Sequence, residues 1–147
     1  MKINQLSLFV ENHPGALRAP CKVLAEAGID LLSLTIADTE SFGILRIIVA
    51  DWRRAMATLQ AAGFIAKVTE VVAIEVDQRP GGLLAVLDAL EGSSQGIEYM
   101  YAFGPGPANR AVLVFRFADP DAAIASLARH GINAVAPAAL FGPLARS

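Results

Sequence analysis

Hydrophobic positions along the chain follow two rhythms. Short apolar runs, several with alternating polarity, predict strands, and stretches with apolar residues every three or four positions predict helices. The predicted strands cover residues 3–10, 31–38, 42–50, 64–69, 71–76, 97–103, 111–118 and 132–135. The predicted helices cover residues 15–27, 52–62, 82–90 and 120–130. The order is β-α-β-β-α-β, and the chain then repeats it.

One short motif occurs at the same point of both halves. Asn12-His13-Pro14-Gly15-Ala16-Leu17 follows the first strand, and Gln78-Arg79-Pro80-Gly81-Gly82-Leu83 follows the fifth. Proline suits the first helical position, and glycine lets the backbone approach a ligand or a neighbouring chain closely. The free amides and positive dipole end of a helix starting here favour a carboxylate. A plain turn is the alternative, since Pro-Gly is common punctuation.

Constant spacing of several landmarks indicates a duplication. Pro14 and Pro80 are 66 residues apart. The spacing is 68 residues for three further pairs, which are Gly28 and Gly96, Asp51 and Asp119, and Gly63 and Gly131. A two-residue insertion within 92–95 accounts for the difference. The predicted domains are 1–70 and 71–147, and we expect them to pack together, because no Gly/Ser linker separates them.

Several local features refine these predictions. Pro20 lies past the first turn of the helix predicted at 15–27, so it should kink or shorten its start. The third helix should turn Leu83, Leu87 and Leu90 inward. Thr39-Glu40-Ser41 predicts a hairpin connection, and the tail 138–147 lacks a clear period but could pack through Leu140, Phe141 and Leu144.

Composition narrows the class of protein. The hydrophobic fraction is 54% and the mean hydropathy is +0.49, so a large core is expected rather than disorder, yet charges interrupt every apolar run before it reaches membrane-spanning length. The net charge of −2 argues against nucleic acid or an anionic membrane as the main partner. The single cysteine, Cys21, predicts a small buried helix residue in a reducing cytoplasm, and the start of the chain lacks the pattern of a signal peptide.

The sequence offers little catalytic chemistry. Its two histidines, His13 and His130, do not stand in metal-ligand spacing with Cys, Asp or Glu. We find neither a nucleophile–base set nor paired carboxylates, and His130 is explained by a favourable position at a helix end. We therefore expect no catalytic residue, no metal and no cofactor.

The repeated unit resembles the ACT domain, the small-molecule-sensing module of amino-acid metabolism. The resemblance rests on Asn-x-Pro-Gly-x-Leu after the first strand and on Gly-Ile-Asp/Glu before the second, and it covers essentially the whole chain as two tandem copies. It implies an α+β fold of two ferredoxin-like units, each with a four-stranded antiparallel sheet and two helices on one face. The second copy departs from the motif at Gln78, which replaces the asparagine.

The resemblance also implies a regulatory protein that binds an amino acid where two ACT units meet. The matching residues are Asn12, His13, Pro14, Gly15, Ala16, Leu17 and Asp30 in the first copy, and Gln78, Arg79, Pro80, Gly81, Gly82 and Glu98 in the second. Amides would hold the ligand carboxylate, and Asn12 and Asp30 its ammonium. Arg79 changes the charge of the second loop, so we do not expect both loops to bind the same ligand equally. Asp30 and Glu98 could also be plain exposed residues at strand starts.

A stand-alone ACT pair would have to act through a change of partner or of assembly. We therefore expect a homodimer and, by resemblance, an enzyme of amino-acid metabolism as a partner in trans. Tyr99, Tyr101 and Phe103 alternate on one sheet face and predict an interface, beside a loop at 104–107 that forms a flap or a stiff connection. The rival interpretation is a ferredoxin-like protein- or RNA-interaction module that uses these aromatics, although the acidic pI of about 5.6 argues against RNA.

Overall fold

The computed structural model describes residues 1–38, 41–105 and 110–142. Within them the strands are β1 (Ile3–Glu11), β2 (Ser33–Asp38), β3 (Phe42–Ile48), β4 (Ala66–Asp77), β5 (Ile97–Pro105) and β6 (Arg110–Phe117). The helices are α1 (Arg18–Glu26), α2 (Trp52–Ala61), α3 (Gly82–Leu90), α4 (Pro120–Ala128) and α5 (Pro137–Phe141). Parts of the predicted connections at 39–41 and 104–107, and Leu144 of the tail, lie outside the described residues.

The N-terminal unit comprises Asn4–Thr69. Strand β3 pairs antiparallel with β1 and with β2, and the register sets Leu6 opposite Ile47. Directly opposite residues share a sheet face. Both helices pack on this face, because the buried core combines residues of β1 and β3 with residues of α1 and α2: Leu6, Leu8, Leu24, Leu45, Ile47, Ala55 and Leu59.

The C-terminal unit comprises Met1–Ile3 and Glu70–Gly142. Strand β6 pairs antiparallel with β4 and with β5. Its core again places two helices, α3 and α4, on one sheet face, through Val72, Ile74, Val76, Val86, Ala89, Leu90, Phe115, Phe117, Ala123 and Leu127. The rings of Phe115 and Phe117 stack with centroids 5.8 Å apart. Each unit therefore has its own core, as the α+β prediction requires.

The prediction of two separate four-stranded sheets is wrong in detail. The strands predicted at 64–69 and 71–76 form one continuous strand, β4, because Thr69-Glu70-Val71 contains no glycine or proline to end it. The strand predicted at 132–135 is reduced to a bridge between Ile74 and Ala134, supported by a hydrogen bond of 2.8 Å from Val135 N to Ala73 O. Pro137 begins helix α5 directly afterwards, which leaves that segment too short to extend the ladder.

Two helix predictions have different outcomes. Helix α1 begins at Arg18 instead of Gly15, which confirms the expected shortening: Pro20 becomes its third residue, where a backbone N–H would have no intrahelical acceptor. On α3 the expected inward stripe is wrong, because Leu83 and Leu87 are 37% and 40% exposed, and Val86 is buried instead. This helix carries apolar residues on every side, so periodicity alone could not select its buried face.

The duplication extends to backbone angles and capping bonds. Gly15 and Gly81 adopt left-handed φ values of 86° and 88°. Asp51 and Asp119 cap α2 and α4, each accepting a hydrogen bond of 3.1 Å from the amide three residues on. The two halves thus repeat a structural plan and not only a sequence spacing.

A methyl group at Gly82 should be costly. A Cβ built there would overlap the carbonyl oxygen of Asp77, at the point where α3 approaches the end of β4. We expect Gly82→Ala to lower the free energy of unfolding by about 2 kcal/mol or more, measured by urea denaturation. Gly96→Ala is the matched control, because nothing lies within 4 Å of its added Cβ, and it should change stability by less than about 0.5 kcal/mol. Equal stabilities of the two variants would contradict the close approach.

Candidate functional site

The N-terminal turn, residues 12–17, uses several of its backbone groups internally. Ala16 N donates to His13 O and Arg18 N donates to Gly15 O, both at 3.2 Å. Asn12 N donates to Ser41 O, also at 3.2 Å, which ties the turn to the residue before β3. The side chains of Asn12, His13 and Pro14 are exposed. Two of the amides expected to hold a carboxylate are therefore already engaged inside the turn.

His13 braces this turn from its outer side. Its Nε2 lies 3.0 Å from a carboxylate oxygen of Glu11, and its Nδ1 lies 3.0 Å from the carbonyl oxygen of Pro14. Both ring nitrogens can donate only in the imidazolium form. The hydrogen bond to Pro14, aided by Glu11, therefore raises the pKa of His13 above its usual value of 6.5, although the ring remains exposed.

The C-terminal turn, residues 78–83, is braced at the same place by a different cation. Nε and Nη2 of Arg79 each lie 3.1 Å from one carboxylate oxygen of Asp77. Asp77 and Arg79 are 66 residues after Glu11 and His13, so the acid–cation pair is part of the repeat. In the first copy the cation titrates near neutral pH, whereas the guanidinium in the second copy stays charged.

A cavity of about 280 Å³ opens beside the C-terminal turn. It lies where the end of β4, the start of α3, the first residue of β6 and the segment after α4 meet. Its lining residues are Glu75, Val76, Asp77, Gly82, Ala85, Val86, Arg110, Gly131, Ile132 and Asn133. Gly82 is the residue of the predicted site that lines this cavity. Its lack of a side chain lets α3 begin close to the strand end.

Arg110 links the two acids of the cavity. Its Nε lies 3.4 Å from a carboxylate oxygen of Glu75 and 4.0 Å from one of Asp77, and its Nη2 donates to the backbone oxygen of Glu75 at 3.2 Å. The β4–β6 register places Arg110 directly opposite Asp77. Sequence reasoning missed Glu75, Asp77 and Arg110. The available signal was their position at the ends of strands adjoining the repeated turn.

Comparison with known proteins identifies the family. The family model for an ACT domain pair matches residues 1–141. The chain belongs to the ACT domain pair family. A search among curated proteins finds no match.

Solved structures agree with this assignment. Protein BT0572 from Bacteroides thetaiotaomicron is 38% identical to this ACT pair, with 96% of each chain covered and a TM-score of 0.88. The regulatory subunit of aspartate kinase from Thermus thermophilus has a TM-score of 0.61 at 17% identity, covering 86% of this chain and 91% of that one. The corresponding subunit from Thermus flavus has a TM-score of 0.59 at 15% identity, with 86% and 90% covered. The likeness to the two Thermus subunits shows a shared fold.

Two acids predicted for the ligand site have other positions in this ACT pair. Glu98 lies on β5, and its carboxylate is 3.4 Å from Nε of Arg116. Arg116 also donates to the backbone oxygen of Glu70 at 3.1 Å. Asp30 is exposed between α1 and β2. The cavity lining includes neither Glu98 nor Asp30.

The aromatic residues of β5 lie partly exposed. Tyr99 is opposite Arg116 and Tyr101 is opposite Val114, whereas Met100 is opposite the core residue Phe115. Tyr99 and Tyr101 therefore occupy the face turned away from the helices. Phe103 falls within a register shift between Ala102 and Gly104. The use of the three as an interface stays a prediction.

Three further observations bear on chemistry. Cys21 is half-buried on α1 rather than fully enclosed. Across residues 1–38, 41–105 and 110–142, no three His, Cys, Asp or Glu side chains are grouped so as to hold a metal ion. The helices of these segments are all too short or too polar to cross a membrane.

The raised pKa of His13 can be tested by proton NMR titration of its ring. We expect a pKa above 6.5 in the native protein, and a lower value in Glu11→Gln, which removes the carboxylate partner. Because the folded-state pKa is the higher one, protonated His13 stabilises the fold below about pH 6.5, and this contribution disappears as the pH rises through the folded-state pKa. An unchanged titration in Glu11→Gln would contradict the bracing role of the pair.

Proposed function

We propose that this ACT pair is a non-catalytic regulatory protein that binds an amino acid at its strand-to-helix turns. The observation that supports this most strongly is the cavity beside the C-terminal turn, where a guanidinium and two carboxylates stand next to apolar side chains. Such a combination suits a small molecule that carries both charges and a hydrocarbon group. The cavity volume of about 280 Å³ matches a ligand smaller than a typical drug molecule.

The likeness to regulatory subunits supports a role in controlling another protein. The two Thermus proteins are regulatory subunits of aspartate kinase, and they share this fold over most of their length. By analogy with those separate subunits, this chain would act in trans on an enzyme of amino-acid metabolism. Binding of the amino acid would shift the equilibrium between two assemblies, in proportion to its difference in affinity for them.

A thermal-shift screen against the twenty amino acids tests ligand binding. A ligand that binds only the folded state at one hundred times its Kd stabilises by about 2.7 kcal/mol, which raises the melting temperature of a chain of this size by roughly 5 to 10 °C. We expect such a shift for one amino acid or a small related group. The D-enantiomer of each active compound is the control and should have a smaller effect. A flat response across the panel would refute amino-acid binding.

We also propose that the protein is a homodimer that uses the aromatic face of β5. Tyr101 lies on the sheet face away from the helices and is partly exposed, so a second chain could cover it. Tyr101→Asp should convert the dimer to a monomer in sedimentation velocity, because an uncompensated charge would enter an apolar interface. Leu84→Asp is the control, since Leu84 is a 57% exposed residue on α3. A dimer that survives Tyr101→Asp but not Leu84→Asp would move the interface to the helix.

A further inference from the structure

We infer that the cavity of the C-terminal unit binds one zwitterionic amino acid with a small aliphatic side chain, and that the N-terminal turn has lost the corresponding site. The inference rests on the proposed function. It goes further by naming the residues that hold the ligand, the class of its side chain, and the number of ligands bound by each chain.

The charged groups of the cavity suit both ends of a zwitterion. Arg110 directs Nε and Nη2 toward Glu75, and in the described part of the chain its Nη1 has no protein acceptor, so this nitrogen can donate to a ligand carboxylate. The carboxylates of Glu75 and Asp77 have further lone pairs that can accept from a ligand ammonium. Arg79 and Arg110 together balance the two acids. A ligand without net charge therefore fits best.

The rest of the cavity is a hydrocarbon wall. Val76, Val86 and Ile132 line it, together with Ala85 at the first turn of α3. A charged ligand side chain would lose its hydration against this wall without a further partner. An aliphatic side chain would gain roughly fourfold in affinity for each methylene group that it buries. The available volume of about 280 Å³ limits that side chain to a few carbons.

The N-terminal unit has apolar residues at the matching positions. The repeat spacings relate Glu75 to Phe9, Arg110 to Phe42, and Asn133 to Ile65. These three residues of the N-terminal unit are 60%, 52% and 79% exposed, respectively. They cannot bind either charge of a zwitterion.

The two remaining differences point the same way. Ala16 takes the place of Gly82, which adds a methyl group to the turn, and Glu11 takes the place of Asp77 but is engaged by His13. The backbone turn is thus common to both copies, whereas the binding chemistry exists in one. We therefore assign one ligand site to each chain.

Isothermal titration calorimetry with a homologous series tests the ligand class. Affinity should rise through glycine, alanine and valine by roughly fourfold for each added methylene, and lysine and aspartate should bind more weakly than valine. Arg110→Gln should weaken valine binding by roughly tenfold to a hundredfold, since it removes a charged hydrogen-bond donor. Arg116→Gln is the matched control, because it removes an arginine of the same strand whose ion pair with Glu98 lies outside the cavity. Its affinity for valine should stay within about twofold of the native value.

Amide NMR titration with valine locates the site and separates the possible failures. Shifts concentrated at Val76, Gly82 and Asn133 support the inference. Shifts at residues 12–17 instead, with normal affinity in Arg110→Gln, would overturn the inference and leave the proposed function standing. Tighter binding of lysine or aspartate than of valine would overturn the ligand class. An absence of binding by every amino acid at millimolar concentration would overturn the proposed function itself.

Discussion

The fold depends on a left-handed glycine placed between a strand and the helix that must cover it. Gly15 and Gly81 hold φ values of 86° and 88°, a conformation that costs an L-residue with a side chain roughly 1–2 kcal/mol. This turn reverses the chain within a few residues and sets the start of the helix beside the end of the strand. In the C-terminal unit the approach is so close that the next residue must also lack a side chain. The cavity wall is a consequence of this packing.

Much of this arrangement could be predicted because it is determined by residues close together in the sequence. Asp51 and Asp119 precede helices and cap them, and their constant spacing from other landmarks is enough to indicate the duplication. The turn glycines and Pro20 act within a few residues of themselves, so their effects on helix starts could also be anticipated. The assignment to the ACT family rests on the same short motifs.

Other features could not be predicted because they arise from contacts distant in sequence. The pairing of Asp77 with Arg110 depends on the register between β4 and β6, and alone each residue resembles an ordinary charged strand end. The continuity of β4 depends on the absence of a stop signal at Glu70, which a pattern of two repeats conceals. On α3, an apolar surface all round left the choice between Val86 and Leu87 to tertiary packing.

Duplication has preserved the backbone of the turn and altered its side chains. Phe9 and Phe42 stand where Glu75 and Arg110 bind each other in the second copy, although both turns share one geometry. A turn needed for folding can be kept after its binding chemistry has changed, because the fold requires the glycine and not the charges.

The number of ligands bound by each chain tests this account most directly. Equilibrium dialysis of the native protein with radiolabelled valine, continued to saturation, counts the sites without reference to any variant. The account predicts one valine for each chain. Saturation at two would show that both copies of the turn still bind, and would contradict the division of roles between them.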